Sequence, residues 1–136
     1  MKKTILITGI NGFLGSHLAK SLSNNYEILG LEYSNKNLFR IKDFSFRVYD
    51  SNTDIKTIFE ENKIFAIIHA ATIYRRHMEP IENILNTNVL LPVRIYELAN
   101  HFGTKLFLNT DSFFNDVKYN YSFLSDYTLS KKHALD

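Results

Sequence analysis

The feature that most constrains the fold is a run of three evenly spaced glycines directly after a short apolar segment. Gly9, Gly12 and Gly15 follow the apolar residues 4–7, and leucines with helical spacing come next. In a strand-turn-helix unit, the first glycine permits the tight turn, the second leaves room for a phosphate and the third lets the helix pack on the strand. The positive end of the helix then faces the phosphate. The run therefore predicts a site for a dinucleotide pyrophosphate; the alternative is a tight strand-helix connection without a ligand. No Gly-Lys-Ser/Thr closes the run, which excludes a Walker phosphate loop.

Strand-like and helix-like segments alternate along the rest of the chain. Runs rich in Ile, Val, Leu and Phe lie near residues 4–8, 26–32, 44–49, 64–69 and 105–109. Apolar residues with helical spacing lie between them, at residues 14–22, 55–59 and 84–102. A continuous apolar strand such as residues 65–68 is typical of a parallel sheet covered on both faces. The pattern predicts an α/β fold, a Rossmann-like doubly wound parallel sheet.

Two prolines fall in the segment that predicts the longest helix. Pro80 suits the first turn, where its missing N–H is not needed. Pro92 lies inside the segment and predicts a kink that leaves the carbonyl of Asn88 without its usual partner. Gly103 is expected to end the helix.

Length and composition exclude several classes of protein. The 136 residues are enough for one domain. Because cysteine is absent, disulfides, thiolate metal sites and a cysteine nucleophile are excluded, and the five histidines lack metal-ligand spacing, so we expect no metal. The basic residues are scattered and the net charge is only +2, so no nucleic-acid partner is expected. No apolar run is long enough to span a membrane, and we expect a cytoplasmic protein without a membrane partner.

Several motifs together resemble the extended short-chain dehydrogenase/reductases, the NAD-dependent epimerase/dehydratase family. They are Thr8-Gly9-x-x-Gly12-x-x-Gly15, His69-Ala70-Ala71 at the end of the fourth strand, Asn86-Thr87-Asn88-Val89 and Tyr127-x-x-x-Lys131. This family contains nucleotide-sugar epimerases, dehydratases and reductases. The resemblance covers the whole chain and implies a nucleotide-sugar substrate.

The resemblance implies three catalytic residues, Thr110, Tyr127 and Lys131. Tyr127 and Lys131 are four residues apart, which places them on one face of a helix. A lysine ammonium beside a tyrosine, helped by an oxidised nicotinamide, favours the phenolate. In the family this pair moves the proton of a sugar hydroxyl while hydride passes between the sugar carbon and the nicotinamide. The hydroxyl at the position of Thr110 binds the reacting sugar oxygen.

The expected cofactor is NAD, with NADP left open. Glu32 ends the second strand, where a carboxylate accepts hydrogen bonds from the adenosine ribose and repels a 2'-phosphate. Asp50 ends the third strand and is expected either at the adenine amino group or in a surface turn. Asn88 is expected either to hydrogen-bond the active-site backbone or to be a plain polar helix residue. The candidate cofactor-binding residues are Gly9, Asn11, Gly12, Phe13, Leu14, Gly15, Glu32, Asp50, Ser51, Ala70, Ala71, Asn88, Tyr127 and Lys131.

Residues 108–115 and 127–132 look most like the branch of CDP-abequose and CDP-paratose synthases. Enzymes of this branch reduce a CDP-4-keto-3,6-dideoxyhexose for lipopolysaccharide side chains, and they are expected to use NADPH. Ser112 stands where the sugar dehydratases have a glutamate, and Phe114-Asn115 replaces a common Tyr-Gly. A 4-ketoreductase or an epimerase is therefore expected rather than a dehydratase.

Family members are longer than this chain. The resemblance therefore implies that residues 1–136 are an incomplete NAD(P)-binding domain, without the last strands and the C-terminal substrate domain. The alternative is a dinucleotide-binding fragment with no turnover of its own. The resemblance also implies that a homodimer can form through the helix carrying Tyr127 and the long helix before the fifth strand.

Overall fold

Five parallel strands form the single sheet of the described structure. The computed structural model describes residues 1–74, 77–112 and 125–133. The strands are β1 (Thr4–Thr8), β2 (Glu27–Leu31), β3 (Arg47–Tyr49), β4 (Ile64–His69) and β5 (Leu106–Asn109). Their order across the sheet is β3-β2-β1-β4-β5, and every pairing is parallel. This is the strand order of a Rossmann sheet, so the predicted fold class is confirmed.

The helices lie on both faces of the sheet. They are α1 (Phe13–Leu22), α2 (Ile55–Glu61), α3 (Ile81–Leu85), α4 (Leu91–His101) and α5 (Ser125–His133), with a π-helical turn, Asn86–Leu90, joining α3 to α4. The Phe114-Asn115 departure from the family pattern lies outside the described residues.

The core consists of two apolar layers separated by the sheet. Leu6 of β1 packs with Ile58, Phe59 and Ile95, from α2 and α4, on one face. The neighbouring residues Ile5 and Ile7 belong to the opposite layer, which includes Ala19 of α1. Because successive side chains of a strand point to opposite faces, the apolar middle of β1, residues 5–7, serves both layers.

The long helical segment accommodates its prolines differently from the prediction. Pro80 is the residue before α3 rather than part of its first turn, and Pro92 is the second residue of α4. Just before Pro92, the Leu91 N–H donates to the carbonyl of Asn86, five residues back instead of four. A wider turn changes the hydrogen-bond ladder where the proline has no N–H to offer. The irregularity predicted at Pro92 therefore takes the form of a π turn.

The end of α4 follows the prediction at Gly103. Gly103 has φ +73°, in the left-handed region that glycine adopts most easily. The Thr104 N–H donates to the carbonyl of Ala99 at 2.8 Å, and the Gly103 N–H donates to that of Asn100 at 3.3 Å. This pair of bonds is a Schellman motif, and it directs the chain into β5.

Candidate cofactor and catalytic site

The candidate site lies at the carboxyl ends of β1 and β4, the two adjacent central strands. The chain leaves β1 toward β2 on one side and later continues from β4 toward β5 on the other. Ligands of open α/β sheets bind at such a switch point. The glycine run follows β1 here, and Ala70 and Ala71 follow β4.

The three glycines of the loop are required by contacts within the protein. Gly9 has φ +66°, and a Cβ there would lie 2.8 Å from the backbone of Ala71. A Cβ on Gly15 would lie 2.1 Å from the carbonyl oxygen of Gly9, and one on Gly12 would lie 3.0 Å from the same atom. These short distances show that α1 and the end of β4 lie too close to the loop to leave room for side chains at Gly9 and Gly15.

The start of α1 has the properties of an anion-binding end. Gly12 precedes the helix and provides no side-chain cap, and the first turn contains no acidic residue. The amide groups of Phe13, Leu14 and Gly15 occupy the first turn, where a helix offers them no internal acceptor. Phe13 and Leu14 have exposed side chains. The backbone of this turn, rather than its side chains, is therefore suited to a pyrophosphate.

Glu32 and Asn11 join the glycine loop to the segment after β2. The Asn11 N–H donates to Oε2 of Glu32 at 2.9 Å, and the Tyr33 N–H donates to Oε1 at 3.2 Å. The Asn11 side chain donates to the carbonyl of Asn37 at 3.0 Å and accepts from the Arg40 N–H at 3.0 Å. The Glu32 carboxylate is thus fixed at the expected position, and each oxygen can still accept another hydrogen bond.

Asp50 and Ser51 shape the turn after β3. Oδ1 of Asp50 accepts from the Asn52 N–H at 3.0 Å, and the hydroxyl of Ser51 donates to the carbonyl of Tyr33 at 2.8 Å. Asp50 therefore contributes Oδ1 to the turn, its contact with an adenine amino group stays a prediction, and Ser51 supports the segment beside Glu32.

A buried polar cluster ties the end of β4 to β1. The Thr8 hydroxyl oxygen accepts from the Ala71 N–H at 3.2 Å and lies 2.8 Å from Nδ1 of His69. His69 is fully buried, and its Nε2 has no hydrogen-bond partner among the described residues. Burial, with a smaller contribution from the charge of Lys131, lowers the pKa of His69 to about 4. The imidazole is therefore neutral near pH 7.

Tyr127 and Lys131 are both buried on α5, which packs against α3 and the π turn. Tyr127 is 5% exposed and Lys131 is 1% exposed, so the pair lies on the inner face of α5 as its spacing predicts. Nζ of Lys131 has no hydrogen-bond partner among the described residues. Burial lowers the pKa of Lys131, while the carboxylate of Asp111 opposes that shift.

In the chain alone, burial is the main influence on the pKa of Tyr127. The pKa of Tyr127 is raised, mainly by burial; a hydrogen bond with Ser112 lowers it, and Tyr74 and Asp111 raise it. Lys131 is not among the groups that shift it. Desolvation disfavours the phenolate, and it outweighs every favourable contact that the described residues supply.

The sequence predicts one site hydroxyl after β5, that of Thr110, and the structure places a second one, that of Ser112, beside it in the chain. The Thr110 hydroxyl donates to the carbonyl of His69 at 2.9 Å. Ser112, two residues further and 9% exposed, is the residue that hydrogen-bonds Tyr127. The sequence marks Ser112 only as the residue replacing the dehydratase glutamate. The sequence carries no periodic signal for Ser112, because residues 110–112 follow the end of β5 and are not part of a strand.

Asn88 is fully buried, and its side chain is fully used within the protein. Its Oδ1 accepts from the Ile73 N–H at 2.9 Å and from the Thr72 hydroxyl at 3.3 Å. Its Nδ2 donates to the carbonyl of Ile73 at 2.9 Å and to the Ser130 hydroxyl at 3.0 Å. The sequence left two roles open for Asn88, and the structure shows the first of them, hydrogen bonds to the backbone beside the site. Asn88 therefore ties residues 72–73 to α5.

The described residues contain neither a candidate metal site nor a candidate membrane-spanning helix. In residues 1–74, 77–112 and 125–133, no group of three or more His, Asp or Glu side chains is arranged to hold a metal ion. No helix in the same part of the chain is long and apolar enough to cross a membrane.

Curated relatives with matching sequence are CDP-abequose synthases. That of Salmonella muenchen is 36% identical over 138 aligned positions, covering all of this chain and 46% of the relative. That of Salmonella typhimurium strain LT2 is 28% identical over 140 positions, covering 98% of this chain and 46% of the relative. The chain thus spans about half the length of these relatives.

Solved structures with the same fold include sugar-nucleotide enzymes. UDP-glucuronic acid 4-epimerase from Bacillus cereus, in complex with NAD, matches with a TM-score of 0.78 at 22% identity, over 97% of this chain and 49% of that one. The Bordetella bronchiseptica enzyme WbmH, in complex with NAD+, matches with a TM-score of 0.83 at 19% identity, over 100% of this chain and 52% of that one.

The sequence profile of one family matches nearly the whole chain, residues 5–134. The glycine loop, the β3-β2-β1-β4-β5 sheet and the buried Tyr127 and Lys131 agree with that match. The chain belongs to the NAD dependent epimerase/dehydratase family.

Proposed function

We propose that the chain is the cofactor-binding and catalytic part of an NAD(P)-dependent oxidoreductase that acts on a nucleotide-activated sugar. The observation that carries this proposal is the buried ammonium of Lys131, which has no hydrogen-bond partner among the described residues and follows the buried Tyr127 by four positions. An unpaired buried charge costs several kcal/mol, of the order of the penalty for an uncompensated ion. A bound group that offers hydroxyl oxygens to Nζ removes that cost.

The residues of the site fit a nicotinamide dinucleotide. The absence of a side chain at Gly12 and the first-turn amides of α1 suit a pyrophosphate. In the proposed complex, Glu32 accepts from the adenosine ribose and Lys131 donates to the nicotinamide ribose. The backbone at Ala70 and Ala71 is fixed by Thr8 and lines the remaining side.

The chemistry assigned to the chain is proton transfer. When bound, the nicotinamide exchanges hydride with the sugar carbon. In the reducing direction, the Tyr127 hydroxyl gives its proton to the carbonyl oxygen of the sugar; in the oxidising direction, its phenolate removes the proton of the hydroxyl. Ser112 lowers the pKa of Tyr127, and the proposed contribution of Lys131 to the phenolate comes together with the bound nicotinamide. Thr110 is proposed to bind the reacting oxygen, for which its hydroxyl leaves the carbonyl of His69.

Among sugars, a CDP-4-keto-3,6-dideoxyhexose is the proposed substrate, and a ketoreductase is preferred to an epimerase. The support is the likeness to the CDP-abequose synthases. The substitution of Ser112 for the dehydratase glutamate agrees with this preference, because a serine does not supply the base that dehydration requires.

NAD is the preferred cofactor, and NADP stays open. The Glu32 carboxylate is held by two backbone amides, so a 2'-phosphate would lie beside a fixed negative charge. Arg40 is the group that favours NADP. Its guanidinium donates to the carbonyl of Asn11 at 3.3 Å, on the same side of the glycine loop.

Two further proposals concern the chain by itself. The first is that residues 1–136 form one NAD(P)-binding domain that binds dinucleotide with little or no turnover, because the relatives are about twice as long.

The second is a homodimer through α4 and α5. Its support is the set of exposed apolar side chains on these elements and the π turn, Leu90, Val93, Tyr96 and Leu129.

The test of the proposed function is Tyr127→Phe in the whole enzyme, with Tyr96→Phe as the matched control. Tyr96 is exposed and packs against Phe107, away from the site. We expect Tyr127→Phe to retain NADH binding and to lose reduction of a CDP-4-keto-3,6-dideoxyhexose, while Tyr96→Phe retains both. Substantial turnover by Tyr127→Phe would refute the acid/base role.

A further inference from the structure

Asn11, in the glycine loop, hydrogen-bonds both an acidic and a basic residue of the chain that follows β2. Its backbone N–H donates to Oε2 of Glu32 at 2.9 Å. Its backbone carbonyl accepts from Nη1 of Arg40 at 3.3 Å. A carboxylate and a guanidinium are therefore both held at one residue of the loop that is proposed to bind the pyrophosphate.

The side chain of Asn11 also holds the backbone around Arg40 in place. Its Oδ1 accepts from the Arg40 N–H at 3.0 Å, and its Nδ2 donates to the carbonyl of Asn37 at 3.0 Å. Two bonds to one planar amide group fix the position of residues 37–40 relative to the glycine loop. The next residue, Ile41, is 1% exposed and belongs to the core layer that includes Ala19 of α1. The segment therefore has a polar anchor at Asn11 and an apolar anchor at Ile41.

The charge of Arg40 is available to a ligand. In the part of the chain that the structure describes, its guanidinium forms no ion pair. It lies over the ring of Phe39, with 4.5 Å between Cζ and the ring centroid, and the residue is exposed. A guanidinium has five N–H groups, so most of its donors remain after the bond to Asn11. A phosphate suits these donors because it is negative and offers several acceptor oxygens.

Glu32 and Arg40 act in opposite directions on the ribose of a dinucleotide. NADP has a phosphate on the ribose 2'-oxygen, where NAD has a hydroxyl. At the proposed ribose site, the Glu32 carboxylate repels this phosphate and the Arg40 guanidinium attracts it. We propose that Asn11 is a positioning residue for cofactor specificity, whose side chain holds Arg40 where its guanidinium binds the 2'-phosphate. Asn11 thereby makes the preference for NAD graded, so that NADP also binds. This role rests on the dinucleotide binding proposed above.

The test is a double-mutant cycle on the affinities for NADPH and NADH, which differ in the 2'-phosphate alone. Calorimetry is performed on Asn11→Ala, on Arg40→Gln and on the double variant, with the unfolding midpoint of each measured in parallel. Alanine fits the backbone of Asn11, whose φ is not positive, and Ile41 still anchors the segment. Asn100→Ala and Arg94→Gln, at exposed positions of α4, are the matched controls for side chain and charge.

We expect both single variants to weaken NADPH binding selectively. The loss should be roughly tenfold in Arg40→Gln and about threefold or more in Asn11→Ala, with NADH affinity changed by less than about twofold, because a charge-assisted hydrogen bond is removed or misdirected. In the double variant, Asn11→Ala should add less than about twofold, because the residue through which it acts is absent. Both controls should leave the two affinities unchanged.

Three results would overturn the proposal. Independent, multiplying losses in the double variant would show that Asn11 does not act through Arg40. Equal losses for NADPH and NADH in Arg40→Gln would assign the guanidinium to the pyrophosphate, and an unchanged NADPH affinity in either single variant would remove it from the phosphate altogether. Each of these results leaves the proposed oxidoreductase function standing, because NADH binds to the unmodified chain. Failure of the unmodified chain to bind either dinucleotide would refute both proposals.

Discussion

The burial of His69 predicts a specific loss of stability in acid. Its imidazole is completely buried beside Thr8, and its pKa is lowered to about 4 from the usual 6.5. Between these two pH values the unfolded chain binds a proton that the folded chain does not. Folding stability from this residue is therefore complete above pH 6.5 and falls as the pH decreases toward 4.

The size of the effect follows from the displacement of the pKa. One pKa unit corresponds to about 1.4 kcal/mol, so the shift of His69 amounts to about 3 kcal/mol between pH 6.5 and pH 4. Because the side chain is fully buried, screening by solvent does not reduce this figure as it does at a surface. A loss of this size is a substantial fraction of the stability of a small domain.

The assay is urea unfolding at pH 7 and pH 4 for the unmodified chain, His69→Asn and His101→Asn. Asparagine keeps a polar atom near the position of Nδ1, so a partner for Thr8 remains, but it does not titrate. The carboxylates are common to all three proteins and cancel in the comparison. We expect the acid-induced loss to be smaller by about 3 kcal/mol in His69→Asn, and unchanged for His101→Asn, because His101 is exposed. Equal losses in the unmodified chain and His69→Asn would refute the reasoning.

Three other substitutions test the glycine loop, the cofactor preference and the clamp, by which we mean the hydrogen bonds of Asn88 to Ile73 and Ser130. Gly15→Ala should destabilise the chain by about 1–3 kcal/mol in urea unfolding, because its Cβ would overlap the carbonyl oxygen of Gly9; an unchanged midpoint would contradict the packing. Glu32→Gln should raise the affinity for NADPH relative to NADH by roughly tenfold in calorimetry, because a like charge is removed; an unchanged ratio would exclude Glu32 from the ribose site. Ser130→Ala should cost about 1–3 kcal/mol in the same urea assay, because a buried donor of Asn88 loses its acceptor, and no loss would show that the clamp is not required.

The sheet and the glycine loop could be predicted because their causes are local. The middle of β1, residues 5–7, serves two layers and is apolar without interruption, and the short strands between helical segments leave few possible arrangements of the sheet. Gly9 and Gly15 are required by backbone approach, so their spacing carries geometric information. Gly103 likewise marks the end of α4 because its φ is positive.

The features that the sequence missed or left open depend on contacts between distant segments. Asn88 has the pattern of an ordinary helix residue, and its clamp appears only when Ile73 and Ser130 are brought beside it. The raised pKa of Tyr127 depends on burial that the Tyr-x-x-x-Lys spacing does not encode. The π turn before Pro92 is a cooperative adjustment of a whole helix, which the position of a proline alone does not specify.

The most direct test of the central claim is calorimetric titration of the chain with NADH and with NADPH, alongside Gly12→Val. Gly12 immediately precedes α1, so a side chain there lies beside the first-turn amides that are proposed to bind the pyrophosphate. The unfolding midpoint of the variant is measured in parallel to show that it is folded. We expect the unmodified chain to bind NADH more tightly than NADPH, and Gly12→Val to bind neither. Failure of the unmodified chain to bind either dinucleotide, or undiminished binding by folded Gly12→Val, would contradict the account.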